Sequence, residues 1–424
     1  MNDTDEFYSE RLDSGIQVVG QPMAGVESAS VGFLIGAGAR DEAEHNFGVS
    51  HSLEQMLFRG TESKDARQIS ESFDSLGISY DSSAGIEMTL MSAVLIGNRL
   101  PPALELLVDC LRRPSFPEDA VESVRALQLQ EIRQREDRPA QKVMDSLRRQ
   151  FFRGNPISND VLGSEETVGA LTRDTIEDYW RSRYTSGNMV VSVAGNFEWE
   201  AVIEQLQELT VGWPSHGGRS EPGVPDPHSG TLVSHKDSTQ ENLGFAFAGV
   251  PVADPEYYTA ALVAQALGGS SHSRLFQEVR EKRGLAYAVQ ARFDGMERAG
   301  MMRVYVGTSA DRAHESVDVV LQELRKLESD GITEDELRLS KTRLKSQLVM
   351  RSESTLARMA SNMRSWWFEE ELYSLSDISE RIDSADLPGV TDLLKRLSIT
   401  DCMTAVALGP RSEEELFGGV MARS

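Results

Sequence analysis

The chain has 424 residues, of which 40% are hydrophobic, and a formal charge of −24. That length exceeds one simple core and suits two domains, while the acidity disfavours nucleic acid, whose phosphates need clustered positive charge. No run of about 18 apolar residues occurs, so no membrane-spanning helix is expected. The polar, acidic start Met1–Phe7 has the order of neither a secretion signal nor a transit peptide. Cys110 and Cys402 stand alone in apolar contexts, which argues for a reducing compartment and hence a cytoplasmic location. The charge itself reads first as solubility.

In chain order, Gln17–Gly20, Ser28–Leu34, Met88–Ile96 and Met189–Ala194 read as strands from their alternation and β-branched content. Segments 117–136, 138–152, 173–183, 312–329 and 333–351 read as helices, with apolar residues three and four apart. Between them, Trp213–Gly230 is dense in proline and glycine and reads as a linker. The predicted division is therefore a domain over 1–213, a linker over 214–230 and a domain over 231–424. The halves echo each other: Val190–Asn196 matches Thr404–Pro410 at an offset of 214 (404 − 190), and Ala103–Leu111 parallels Ser316–Leu324 at 213 (316 − 103). A near-constant offset implies a duplicated domain. The expected fold class is α+β, with two duplicated domains, each a largely antiparallel or mixed sheet with helices packed on one face. Trp366, Trp367 and Phe368 are expected to pack the second domain's core or a domain interface.

The chemistry concentrates in Phe47–Thr61, where His51-Ser-Leu-Glu54-Gln55 is an inverted zinc motif, His-x-x-Glu-His, with its second histidine replaced. Helical residues four apart differ by about 40° in rotation and roughly 6 Å in height, so His51 and position 55 share a face and Glu54 stays beside them. Taken alone, the bland reading is a solvated glutamate next to an ordinary helix histidine. The other histidines are poorer candidates: His45 precedes the helix, His216 and His228 fall in the linker, and His272 sits in a Gly-Ser turn. Gly268-Gly269 is no phosphate loop, because no Gly-Lys-Ser/Thr follows.

Distant segments agree with this helix. Gly48, His51, Leu53, Glu54, Met56, Phe58, Gly60 and Thr61, the preceding Val31–Glu42, the helical Pro117–Arg133 and the later Gly268–Tyr287 carry one pattern. Over nearly its whole length the sequence resembles the pitrilysin and mitochondrial-processing-peptidase family of inverzincins. The resemblance implies a Zn2+ cofactor held by His51, position 55 and Glu131, the last following position 55 by 76 residues (131 − 55). It implies Glu54 as catalytic base towards a zinc-bound water with a pKa lowered to about 7, and Arg280 with Tyr287, seven residues apart, as substrate-binding groups. It further implies peptides or unfolded polypeptide segments as partners, hydrolysis inside a closed chamber, and a homodimer to complete that chamber, a heterodimer being the other arrangement. The strand ending in Gly36–Arg40 is expected to be an edge to which an extended peptide adds.

Gln55 departs from the pattern. A neutral amide oxygen is a weak donor to zinc, so weakened metal affinity and impaired or absent hydrolysis are expected. Two functions compete: a zinc oligopeptidase crippled at one ligand, and a noncatalytic relative that binds peptides or supports an active partner. Retention of His51, Glu54, Glu131, Arg280 and Tyr287 around one changed letter points to the first.

Overall fold

A computed structural model describes residues 6–215, 219–220 and 222–418, so His216 lies outside the described residues. One sheet organises each of two compact units. The first sheet contains Tyr8–Arg11 (β1), Gln17–Pro22 (β2), Ser28–Ile35 (β3), Ser79–Ala84 (β4), Thr89–Ile96 (β5) and Met189–Gly195 (β6), in the order β1-β2-β6-β3-β5-β4. The second contains Gly230–His235 (β7), Gln240–Gly249 (β8), Ala286–Gly295 (β9), Gly300–Ser309 (β10) and Met403–Gly409 (β11), in the order β7-β11-β8-β10-β9. Each is antiparallel except for one parallel pair, β2 with β6 and β7 with β11. The class is the expected α+β duplication with mixed sheets. Between Trp213 and Gly230 the described residues form neither helix nor strand, and no described helix is long and apolar enough to cross a membrane.

Period-two alternation divides the first sheet's side chains between two apolar layers. Val18, Val31, Phe33 and Ile35 join the core beneath helices that include Val49–Met56 and Leu100–Arg112. Val19, Leu34, Val190 and Ala194 face the other way, onto Met359, Met363 and Trp367. Those three residues belong to Thr355–Glu369, a helix from the far end of the chain. Its close approach requires glycine on the strand: a Cβ at Gly32 would lie 2.3 Å from Met359 Sδ, and one at Gly36 would lie 2.5 Å from the Trp367 ring. The guanidinium of Arg219 stacks 4.1 Å from that ring.

The second sheet is covered reciprocally. Helix Pro139–Phe151 packs on β8 and β11, and a Cβ at Gly244 would meet Val143, Met144 and Leu147. The compact units are accordingly discontinuous, one made of 1–133, 159–221 and 349–375 and the other of 134–158, 222–348 and 376–424. Each holds a helix from beyond the sequence-derived boundary. Trp367 therefore packs in the first unit, so of the two expected places, a second-domain core and a domain interface, the first is not the one it takes.

A further expectation is overturned at β3. This strand is interior, hydrogen-bonded to β5 on one side and β6 on the other, and the Ala39 and Arg40 N–H groups already donate to Gly85 and Ile86 carbonyls. Gly36–Arg40 has no free edge for a peptide. The outer strand on this side is β4, which among the described residues pairs only with β5. Its polar letters, Ser-Tyr-Asp-Ser-Ser-Ala, suit an exposed edge and hide the strand from a reading based on β-branched alternation.

Candidate active site around Gln55

Helix Val49–Met56 starts at Gly48, whose φ of +95° is left-handed and unfavourable to any side chain. Buried Leu53 and Met56 tie the helix to the core. The opposite side presents His51, Glu54 and Gln55 towards Glu131 on helix Glu118–Glu136. Burial of the capping end comes with a dedicated acceptor, Glu42. Its carboxylate accepts from the N–H of Gly48 at 2.7 Å, from the N–H of Ser50 at 2.8 Å and from the Ser50 hydroxyl. A carboxyl at a helix start satisfies open N–H groups and, in its charged form, meets the positive end of the dipole.

Three side chains converge on one spot. His51 Nε2 lies 2.8 Å from Glu131 Oε2, Gln55 Nε2 lies 2.9 Å from His51 Nε2, and the same amide nitrogen donates to Glu131 Oε1 at 3.4 Å. Glu54 stands beside them, 7% exposed, and accepts from the hydroxyl of Ser82 on β4. Burial holds the Glu54 carboxyl above its ordinary range, against the opposing pull of Ser82 and of His51. The sequence-derived set His51, Glu54, Gln55 and Glu131 is thus brought together.

Zinc is poorly served by this donor set. An amide N–H2 cannot ligate, and turning the carboxamide over offers only a neutral oxygen beside one imidazole and one carboxylate. Among the described residues, no group of three or more His, Cys, Asp or Glu is placed to hold a metal ion. The trio closes on itself by hydrogen bonds instead.

Arg280 and Tyr287 belong to the second unit. Arg280 is exposed on a π-helical turn, Phe276–Glu281, with its guanidinium 4.9 Å from the Phe276 ring centre. Tyr287 opens β9, is 49% exposed, and donates to Gln240 Oε1 at 3.1 Å. His45 and His272 are exposed. His228 contacts the carbonyl of Arg153 at 2.7 Å through Nε2, and both cysteines are free thiols.

Sequence reading missed Glu42, Ser82 and Gln128 as contributors. Gln128 had a visible signal, since it continues the Val121, Val124 buried stripe at helical spacing with an amide where an apolar residue belongs.

Glu42 also sets a pH dependence. Burial raises its carboxyl from the ordinary 4.5 to about 7, against three hydrogen-bond donors that favour the charge. Glu241, fully buried in the second unit, is raised to about 7 for the same first reason. The folded protein then keeps protons that the unfolded chain releases, so the stability they contribute is complete below about 4.5 and is lost as pH rises towards 7. Urea midpoints are expected to fall less between pH 5 and pH 8 in Glu42→Gln than in the unaltered chain. An equal fall in both would contradict this.

A duplicated α+β chain that sets a His-x-x-Glu helix against a glutamate from a second helix has a scaffold of metallopeptidase type. The family model "Insulinase (Peptidase family M16)" matches residues 18–165, and "Peptidase M16 inactive domain" matches residues 170–344. The chain belongs to peptidase family M16. It is 31% identical to the Bacillus subtilis protein named uncharacterized zinc protease YmxG, over 93% of this chain and 96% of the relative. It is 30% identical to the uncharacterized zinc protease Rv2782c of Mycobacterium tuberculosis, over 95% and 93%. A crystal structure of a peptidase M16 inactive domain from Pseudomonas fluorescens superposes with a TM-score of 0.90 at 21% identity, covering 96% of this chain and 98% of that one, which shows the shared fold.

Proposed function

We propose that this chain binds extended peptide segments on a zinc-protease scaffold and hydrolyses them feebly or not at all. The observation that carries this reading is the Gln55 carboxamide lying against His51 and Glu131, in the place where a third strong metal donor would be needed. Peptide capture does not need that donor. The free side of β4 offers main-chain N–H and C=O groups to an incoming strand, and main-chain pairing reads backbone more than side chain. Such a strand would run past Ser82 and so past Glu54, whose carboxyl is held in place by that serine. Arg280 and Tyr287 supply a guanidinium fork and a phenol suited to peptide carbonyls.

The test uses the purified full chain. Fluorescence anisotropy with a labelled, unstructured peptide is expected to show saturable binding that persists in the presence of a chelator, while metal analysis finds far less than one zinc per chain and the peptide stays intact. Stoichiometric zinc with chelator-sensitive cleavage would show that Gln55 does not disable the site. Absence of any peptide binding would defeat the reading altogether.

A further inference from the structure

The helix that carries Glu131 is weakly anchored by apolar contact. Val121 and Val124 are buried near its start, but among the residues from Arg125 to Glu136 only Gln128 is buried. Leu127 is 43% exposed, and the Glu131 side chain is 42% exposed. Something other than a hydrophobic stripe must fix where Glu131 stands relative to His51.

We infer that Gln128 is the positioning residue that locks these two helices in register. It lies one turn before Glu131 on the same helix face and is 0% exposed. Both its N–H donors and its carbonyl oxygen are engaged. Oε1 accepts from the hydroxyl of Ser52, the residue after His51, while Nε2 donates to the Gly48 carbonyl at 3.0 Å and to the Leu162 carbonyl at 2.9 Å. Two of these partners flank His51 on its own helix, and the third comes from the segment that follows helix Pro139–Phe151. Gly48 is part of the fit, since a Cβ there would stand 2.7 Å from Gln128 Nε2.

The geometry is specific in a way that an apolar contact is not. A leucine stripe tolerates sliding by part of a turn, whereas a buried amide with three partners in fixed directions has one arrangement in which nothing is left unsatisfied. A slip of one turn would carry Glu131 about 5.4 Å along the axis. Its 2.8 Å contact with His51 would then be lost. Gln128 hydrogen-bonds to Ser52, Gly48 and Leu162 and not to His51 or Glu131, so it acts through the helices and not on the reacting groups.

The readout is the ring nitrogen signal of His51 in the full chain labelled with 15N-histidine, assigned by its disappearance in His51→Ala. In the unaltered chain the Nε2 signal is expected at a hydrogen-bonded position. In Gln128→Leu it should move towards that of a free imidazole while the other histidine signals and the circular dichroism stay as they were. Ser52→Ala, which removes one arm of the clamp, should move the signal in the same direction by less, and Ser52→Thr, which restores a hydroxyl, should bring it back. An unshifted His51 signal in folded Gln128→Leu would overturn the inference. Should that variant fail to fold, an unshifted signal in Ser52→Ala would overturn it equally. The inference rests on reading His51 and Glu131 as the working pair, but the ring signal needs neither metal nor peptide, so a failure of peptide capture would be seen separately.

Discussion

Gln55→His is expected to raise zinc affinity by at least about 100-fold, the upper end of what loss of even an outer-shell partner commonly costs, and to bring chelator-sensitive peptide cleavage with it. The expectation follows from how little else has to change. Position 55 lies one turn after His51 on the same helix face, and Glu131 already stands 2.8 Å from the His51 ring. Replacing the carboxamide with imidazole removes a hydrogen-bond donor that occupies the centre of the trio and adds a strong metal donor from the same side. Bound zinc supplies a Lewis acid and an activated water. Gln55→Ala separates the two effects, because it deletes the amide without adding a ligand and should gain neither metal nor activity. Competition against a chromophoric chelator, together with a fluorogenic peptide, reads both quantities. If Gln55→His gained neither, the reading of this helix as a metal-site scaffold would fail.

Trp367→Ala is expected to lower the stability of the first unit by about 3–5 kcal/mol, the usual cost of truncating a buried tryptophan. Trp367 is 4% exposed and fills the layer between β3 and helix Thr355–Glu369. Its Nε1–H is buried without a hydrogen-bond partner among the described residues, so the change forfeits packing and the stacked Arg219 but no hydrogen bond. Trp366, only partly buried, provides the contrast: its replacement by alanine should cost clearly less. Denaturant unfolding followed by circular dichroism measures both. A Trp367→Ala midpoint no lower than that of Trp366→Ala would mean that the helix does not depend on this side chain.

Legibility from sequence tracked the range of the interactions involved. Helix Arg173–Arg183 and strand β6 follow from local periodicity and are found as predicted. Helical geometry put His51, Glu54 and position 55 on one face, whereas the meeting with Glu131 was legible only through the spacing of the family it resembles. β4 was not, since an exposed polar edge carries no hydrophobic alternation to detect. The swap of helices Pro139–Phe151 and Thr355–Glu369 was invisible for another reason: both are amphipathic, and amphipathicity says that a face is covered without saying which sheet covers it. Gln128 lay between these cases, an amide on a buried stripe whose three partners belong to two segments distant in sequence.

That exchange has a consequence for the order of biosynthesis. A ribosome completes all six strands of the leading sheet when residue 195 has been made, yet one surface of that sheet, with Val19, Leu34, Val190 and Ala194, stays bare until Met359 and Trp367 emerge. While the intervening residues are being made, the nascent chain must keep an oily surface away from its neighbours, which makes that interval the natural point for a holding chaperone to act.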